Sequence, residues 1–362
     1  MAAPVRYTPD VETIAPDEAE TQAGLDQAMT EILETTSKDY GRAVRSVHAK
    51  GHALLKGRLI VAEGLPPELA QGLFAQGGEH EAILRFSTNA GDILDDSISL
   101  PRGLALKVLD VEGERLPGSE GDRTQDFILV NAPAFGAPEP KAFLGNLKLL
   151  AKTTDKAEWA KKALSATLRT IEAGVEALGG KSALLNQMGG AQQVHPLGET
   201  YWTQVPFRYG DHIAKLQLVP VSRELTEVSG MTINAAGRPD ALREDINETI
   251  VEHGGVWELR VQLCVDLDAM PVEDASKEWD AEASPYRTVA RLEVPAQLGW
   301  QTGASEQAEG ALSFSVWHGL AAHRPLGGIN RMRKQTYELS AGYRARFNGC
   351  PIHEPATLAD VG

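Results

Sequence analysis

Short runs rich in β-branched and aromatic residues recur along most of this 362-residue chain, and they constrain its fold more than any other feature. GRLIVAE (57–63), EAILRFST (81–88), GLALKVLDV (103–111) and TQDFILVN (124–131) come first. ETYWTQVPFRYG, HIAKLQLVPV, WELRVQLCVD, YRTVARLEVP and ALSFSVWH follow between 200 and 318. Turn-forming residues separate them, which marks each as a strand. Only 139–188, with PKAFLGNLKLLAK and a second helical stretch ending on a Gly pair, interrupts the series. The regular strand–helix alternation of a parallel sheet is absent. The pattern therefore predicts an α+β fold: a closed antiparallel barrel of eight or so strands in 57–131 and 200–318, with a helical insertion. Closure removes exposed edges and leaves an interior suited to a ligand.

Two more helices bracket the barrel. Residues 16–38 space Leu25, Met29, Ile32 and Leu33 at helical intervals behind a Pro and acidic residues, as an amphipathic N-terminal helix able to reach across a partner subunit. Near the other end, a loop with Pro325 and a Gly pair leads into a helix within 325–348, closed by Asn348-Gly349. No repeat or linker appears, so 1–362 is read as one domain.

Composition narrows the partners. Acidic residues outnumber basic ones 50 to 35, a net charge of −15, which argues against nucleic acid or an anionic membrane surface. No run approaches a transmembrane span, and MAAPVRYTPDVE lacks the features of a signal peptide, so the expected compartment is cytoplasmic. Cys264 and Cys350 are the only cysteines, too few for a disulfide framework or a multi-cysteine metal site.

RSVHAKGH (45–52) holds two histidines four apart. A zincin helix would carry a Glu between them, whereas Ala49, Lys50 and Gly51 stand here, so a two-histidine metal site is rejected. Alone, the stretch reads as a solvated loop before the strand at 57. Hydrolase and nucleotide motifs, G-x-S-x-G, the P-loop and G-x-G-x-x-G, are missing. In the C-terminal helix, Arg333, Tyr337 and Arg344 are separated by four and seven residues and share one face. Two guanidinium groups beside a phenol favour phenolate, against an ordinary pKa of about 10. A tyrosinate can serve as an axial ligand of haem iron; the competing reading is a core tyrosine flanked by surface arginines.

Together these stretches resemble the haem catalase superfamily, in particular its small members without the C-terminal domain. Arg45-Ser46-Val47-His48-Ala49-Lys50-Gly51 is similar to the distal motif R-V-V-H-A-K-G. Arg85-Phe86-Ser87-Thr88 and Pro101-Arg102-Gly103-Leu104-Ala105-Leu106-Lys107 match R-F-S-T and P-R-G-x-A-x-K. Arg333, Tyr337 and Arg344 match the proximal signature, so the likeness covers 40–135 and 325–346. It implies a catalase-like closed antiparallel eight-stranded barrel and haem b as cofactor. His48 then corresponds to the distal acid/base and Ser87 to the serine that orients it. Tyr337 corresponds to the iron ligand, Arg333 to its charge partner, and Arg45, Arg85 and Arg344 to the arginines on the haem propionates. Phe135, in VNAPAFG, corresponds to the ring stacked on the porphyrin.

One departure matters. Catalases carry an asparagine that holds hydrogen peroxide over the iron, and the equivalent stretch Gly121–Phe127 has none. The resemblance thus implies a peroxidase that reduces hydroperoxides, organic ones above all, with a small-molecule electron donor, in a homo-oligomer with a dimer favoured. Alternatives are a fatty-acid hydroperoxide isomerase or dehydratase of the allene oxide synthase kind, against which Val47 argues because those relatives often place Thr before the histidine, and a weak catalase. A haem or lipid carrier would need no proton shuttle, which His48 and Ser87 resemble.

Overall fold

The computed structural model describes residues 2–151 and 193–361. Nine antiparallel strands form one sheet: β1 (Gly51–Val61), β2 (Gly78–Thr88), β3 (Arg102–Val108), β4 (Gln125–Val130), β5 (Tyr201–Trp202), β6 (Phe207–Tyr209), β7 (His212–Pro220), β8 (Gly255–Leu263) and β9 (Arg287–Val294). Their order is β5-β4-β3-β2-β1-β9-β8-β7-β6, and β5 also pairs with β7 through Tyr201↔Leu218. That second pairing closes an eight-stranded ring and leaves β6 attached to β7. The expected α+β, closed antiparallel eight-stranded barrel is therefore present, with an extra strand.

Alternation along the strands decides what lies on each side. Leu55 and Leu59, Leu84 and Phe86, Leu104 and Leu106, Phe127 and Leu129 join Leu216, Trp257 and Leu259 in one buried apolar cluster. Their aromatic members interlock, with Phe86 edge-on to Tyr201 at 5.7 Å and Phe74 stacked on Tyr209 at 5.7 Å. His323 completes this packing 5.6 Å from Phe74, its Nε2 accepting the Leu73 N–H at 2.9 Å. The expectation of a ligand-holding interior is thus corrected: eight strands enclose only enough space for side chains, and these fill it.

The intervening residues face outward. Register places Ser87 opposite Gly103, Arg85 opposite Ala105 and Ile83 opposite Lys107, with Ala105 and Lys107 opposite Ile128 and Asp126. Helices cover this outer wall. Among the described residues they are α1 (Glu18–Tyr40), α2 (Pro140–Ala151), α3 (Arg223–Glu227), α4 (Ala241–His253), α5 (Ala304–Ala311) and α6 (Gly327–Asn348). None is long and apolar enough to cross a membrane.

α1 lies close to its expected bounds, but its apolar face is used within the chain. Leu25, Ala28, Met29 and Ile32 pack with Leu147 and Met332 from α2 and α6. Arg331 reinforces the contact by binding Glu12, Glu18 and Glu273. The second helical stretch expected in the 139–188 insertion lies outside the described residues.

Two strand boundaries differ from expectation. β1 starts at Gly51 rather than 57, with His52 buried against Thr88, so the second histidine of RSVHAKGH belongs to the sheet. ALSFSVWH is not a strand: the Leu312 carbonyl is taken by Arg45 and Arg344, and the Ser315 N–H donates to Asp126, so side chains occupy groups a ladder needs.

Truncating the barrel core should be costly. Phe86→Ala is expected to lower the unfolding free energy by about 3–5 kcal/mol in urea titrations, whereas exposed Leu298→Ala should stay within about 0.5 kcal/mol of wild type. Equal effects of the two would contradict the assignment of inner and outer faces.

Candidate active site: a cavity between barrel wall and C-terminal helix

His48 immediately precedes β1 and has φ +54°, a left-handed conformation uncommon for a residue with a side chain. Neighbouring backbone holds it there: His48 and Ala49 donate to the carbonyls of Asn89 (3.2 Å) and Ala90 (2.8 Å), and Arg85 Nη2 donates to the His48 carbonyl at 2.7 Å. The imidazole consequently lies directly on Gly103. A Cβ at that position would stand 2.4 Å from His48 Cε1 and 2.6 Å from Nδ1, so only glycine leaves room for the ring. Nδ1 is 3.1 Å from Ser87 Oγ, which orients it. Burial pushes the imidazole down to about 3, helped by the charges of Arg85, Arg333 and Arg45. His48 is therefore neutral at neutral pH, as a proton acceptor must be.

Beside it, three guanidinium groups gather round one carboxylate. Arg45 Nη1 donates to Glu309 Oε1 at 2.8 Å, Arg85 Nε to the same oxygen at 2.6 Å, and Arg344 reaches the Gly310 and Leu312 carbonyls at 3.3 and 3.2 Å. Burial alone would raise the Glu309 carboxyl, but Arg85 and Arg45 outweigh it and hold its pKa below the usual range. Burial and Arg85 bring Arg344 down to about 10. Among the described residues, three cations less one anion leave two positive charges in excess, and Arg344 Nε is buried without a partner. Such an excess calls for further anions at this edge.

These groups border a cavity of about 580 Å³. Ser87, Gly103, Ala105 and Ile128 form its barrel wall, and Tyr337, Ala341 and Arg344 of α6 also line it. Hydrogen bonds fix the helix to the distal loop, from Ser46 N–H to Ser340 Oγ (3.3 Å) and between Asn348 and Ala43. Of the residues singled out in the sequence, His48, Ser87, Arg45, Arg85, Arg344 and Tyr337 thus meet at one cavity.

Phe135 and Arg333 do not line it. The Arg333 guanidinium lies over the Phe135 ring at 5.6 Å and donates to Asn330 Oδ1 at 3.1 Å. Phe135 packs on Phe143 at 5.1 Å and joins Val205, Ala275 and Ile329, its backbone fixed by a bond to the Ala275 carbonyl. Among the described residues no hydrogen bond links Arg333 to Tyr337. The loop carrying Phe135 is thus tied to residue 275, and α6 presents Arg333 to that loop.

Sequence reasoning missed two features. Glu309 gave no signal, because an isolated Glu in a helix resembles a surface residue. The second is a buried cluster in which Lys107 Nζ donates to Asp126 Oδ1 and Oδ2 at 2.7 and 2.9 Å and also binds Glu354. His318 Nδ1 lies 3.3 Å from Asp126 Oδ2 and 3.2 Å from Glu354 Oε1. A lysine and an aspartate amid otherwise apolar strands were its only trace. Asp122, within the stretch expected to carry an asparagine, lines the cavity with a carboxyl in place of an amide.

No known family model matches the chain, and no curated protein matches it. Solved structures do match. A fungal catalase superposes with TM-score 0.60 at 18% identity, covering 88% of this chain and 63% of that one. Catalase A from Saccharomyces cerevisiae gives 0.60 and 19%, covering 90% and 66%; a bacterial catalase gives 0.56 and 17%, covering 98% and 66%. The fold is that of catalases, and the chain spans just under two thirds of the length of these structures.

Gly103→Ala tests the site's geometry. The added methyl should displace the His48 ring from Ser87, at a cost of about 1–3 kcal/mol, visible as a lower melting temperature and a shifted His48 imidazole NMR signal; an unmoved signal would show that the ring does not rest on Gly103. His48 itself should stay unprotonated from pH 8 to pH 5. Since its folded pKa lies below the unfolded value of about 6.5, the stability linked to it is complete above that value and is lost as pH falls toward 3; a His48→Gln variant should flatten this acid slope.

Proposed function

We propose that the chain is a haem-dependent peroxidase that reduces hydroperoxides, organic ones above all, with electrons from a small-molecule donor. One observation carries the reading: a single cavity holds a neutral, serine-oriented imidazole, a tyrosine on the covering helix, and three buried arginines whose charge one carboxylate only partly meets.

These residues fit haem b. Its pair of propionates would meet the two excess positive charges at Arg45, Arg85 and Arg344, including the unpartnered Arg344 Nε, and the Tyr337 oxygen would be the iron ligand. When bound, the haem would carry electrons from the donor to the hydroperoxide. Arg333 and Phe135 support the site only from outside the cavity lining.

The protein's own contribution is proton handling and selection. For ROOH + 2 e⁻ + 2 H⁺ → ROH + H₂O, neutral His48 takes the hydroperoxide proton and returns it to the departing oxygen, which assists heterolytic O–O cleavage. The Ser87 hydroxyl at Nδ1 keeps the ring aimed. Ala105 and Ile128 give the wall an apolar stretch suited to an organic substituent. With a carboxyl rather than an amide at Asp122, nothing equivalent to the catalase asparagine orients a second hydrogen peroxide, which supports peroxidase over dismutase activity.

The absorption spectrum of the haem-loaded protein should show a tyrosinate-ligated ferric state, and Tyr337→Phe should alter it and weaken haem retention; an unaltered spectrum would remove Tyr337 from the iron. His48→Ala should slow cumene hydroperoxide reduction about 10²–10⁴-fold without loss of haem. Rapid oxygen release from hydrogen peroxide with no oxidation of the donor would overturn the peroxidase reading.

A further inference from the structure

A second histidine borders the same cavity. The His318 carbonyl accepts the Asp126 N–H at 2.8 Å, so the residue is fastened to the start of β4. Its Nδ1 faces the carboxylates of Asp126 and Glu354 at 3.3 and 3.2 Å, which leaves Nε2 on the other side of the ring, and His318 lines the cavity.

Those carboxylates are well held. Lys107 Nζ binds both, the Ser315 N–H donates to Asp126 Oδ2 at 2.9 Å, and Thr124 Oγ1 donates to Glu354 Oε2 at 2.7 Å. Arg115 adds its charge from the preceding loop. Asp126, His318 and Glu354 have ligand atoms within 4.8 Å of one another, a spacing that suits a metal ion, but the Lys107 ammonium already bridges the two carboxylates as a cation would.

Lys107 shares the outward face of β3 with Gly103, four residues and therefore about 13 Å away. Ala105 and its partner Ile128 lie between and line the cavity. One cavity thus carries an imidazole toward each end.

The two rings have opposite electrostatics. His48 sits among arginines and is neutral, so it can pass a proton across the peroxide but cannot hold one in reserve. Burial also disfavours a charged His318, yet Asp126 and Glu354 outweigh it and raise the ring to about 9. A buried set of two cations and two anions is expensive to desolvate, which packing alone at this end of the cavity would not require.

Resting on the peroxidase reading above, we propose that His318 is a second acid–base residue of the cavity. It donates a proton from Nε2 to a product oxygen, while Asp126 and Glu354 stand beside Nδ1 as its ion partners and Lys107 holds the two carboxylates. Reduction of ROOH takes up two protons with the two electrons delivered by the donor, and His318 supplies one of them. Its side chain is 22% exposed, so it regains the proton from water after each turnover.

Three haem-loaded full-length proteins test this: wild type, His318→Gln and Glu354→Gln. Turnover of cumene hydroperoxide with an excess of donor should fall about 100-fold in His318→Gln, and the wild-type decline in rate as pH rises through about 9 should vanish. Independently of activity, NMR of the full chain should show the His318 imidazole protonated at pH 7, and Glu354→Gln should move its titration to lower pH. If the wild type reduces hydroperoxide while His318→Gln keeps its rate and alkaline decline, the inference fails and the peroxidase reading stands. A His318 signal already deprotonated at pH 7 overturns the inference whatever the activity. A wild type with no hydroperoxide reduction sinks the reading and the inference together.

Discussion

The ion cluster of Arg45, Arg85 and Glu309 is the contact on which the site depends, because it ties three distant parts of the chain to one point. Arg45 comes from the loop before β1, Arg85 from β2, and Glu309 from the end of α5, while Arg344 of α6 holds the adjoining carbonyls. Removing the carboxylate would leave three guanidinium groups facing one another in a buried space, far costlier than losing an exposed ion pair. The same cluster holds the His48 carbonyl through Arg85, and so couples the charge pattern to the left-handed backbone that sets the imidazole on Gly103. An excess of two buried positive charges makes this edge complete only with anions added from elsewhere.

Around that point the barrel acts as a two-sided wall. Its inner residues interlock so fully that the interior carries no function beyond rigidity. The outer residues of β2, β3 and β4 form the floor of the cavity, and α6 roofs it. Side chains standing on the sheet are better fixed than side chains on loops. The C-terminal segment closes part of the border, with Ile352, His353 and Glu354 lining the cavity and Val361 buried against Leu54 and Ile83. Surroundings at opposite ends of this floor differ: burial, helped by nearby arginines, lowers the His48 imidazole, and the carboxylates beside His318 raise its own.

Much of this was legible in the residues themselves. Antiparallel closure and the approximate bounds of α1 and α6 follow from alternation and helical spacing, whereas the pairing of His48 with Ser87 came only from the catalase resemblance. Where Phe135 and Arg333 lie depends on a hydrogen bond to Ala275 and on the direction in which α6 turns its first two turns, neither of which is encoded locally. ALSFSVWH alternates like a strand, but guanidinium groups from far away in sequence occupy its Leu312 carbonyl. α5 was missed since its apolar positions are few, Ala308 being its main buried apolar residue; α4 went unread although Leu242, Ile246 and Ile250 keep a helical spacing.

By itself the sequence determined the elements and the chemical types present: strands that must pair, a helix bearing Tyr337 on one face with Arg333 and Arg344, and a histidine next to a glycine-bounded strand. Tertiary structure alone decided that the barrel interior is solid and that the cavity lies outside it. It also decided that Glu309 is enclosed by arginines and that His318 and Glu354 meet Lys107. The physical reason is that alternation and periodicity are properties of neighbouring residues, whereas the balance of buried charge depends on which distant groups the closed sheet and its covering helices bring within a few ångströms.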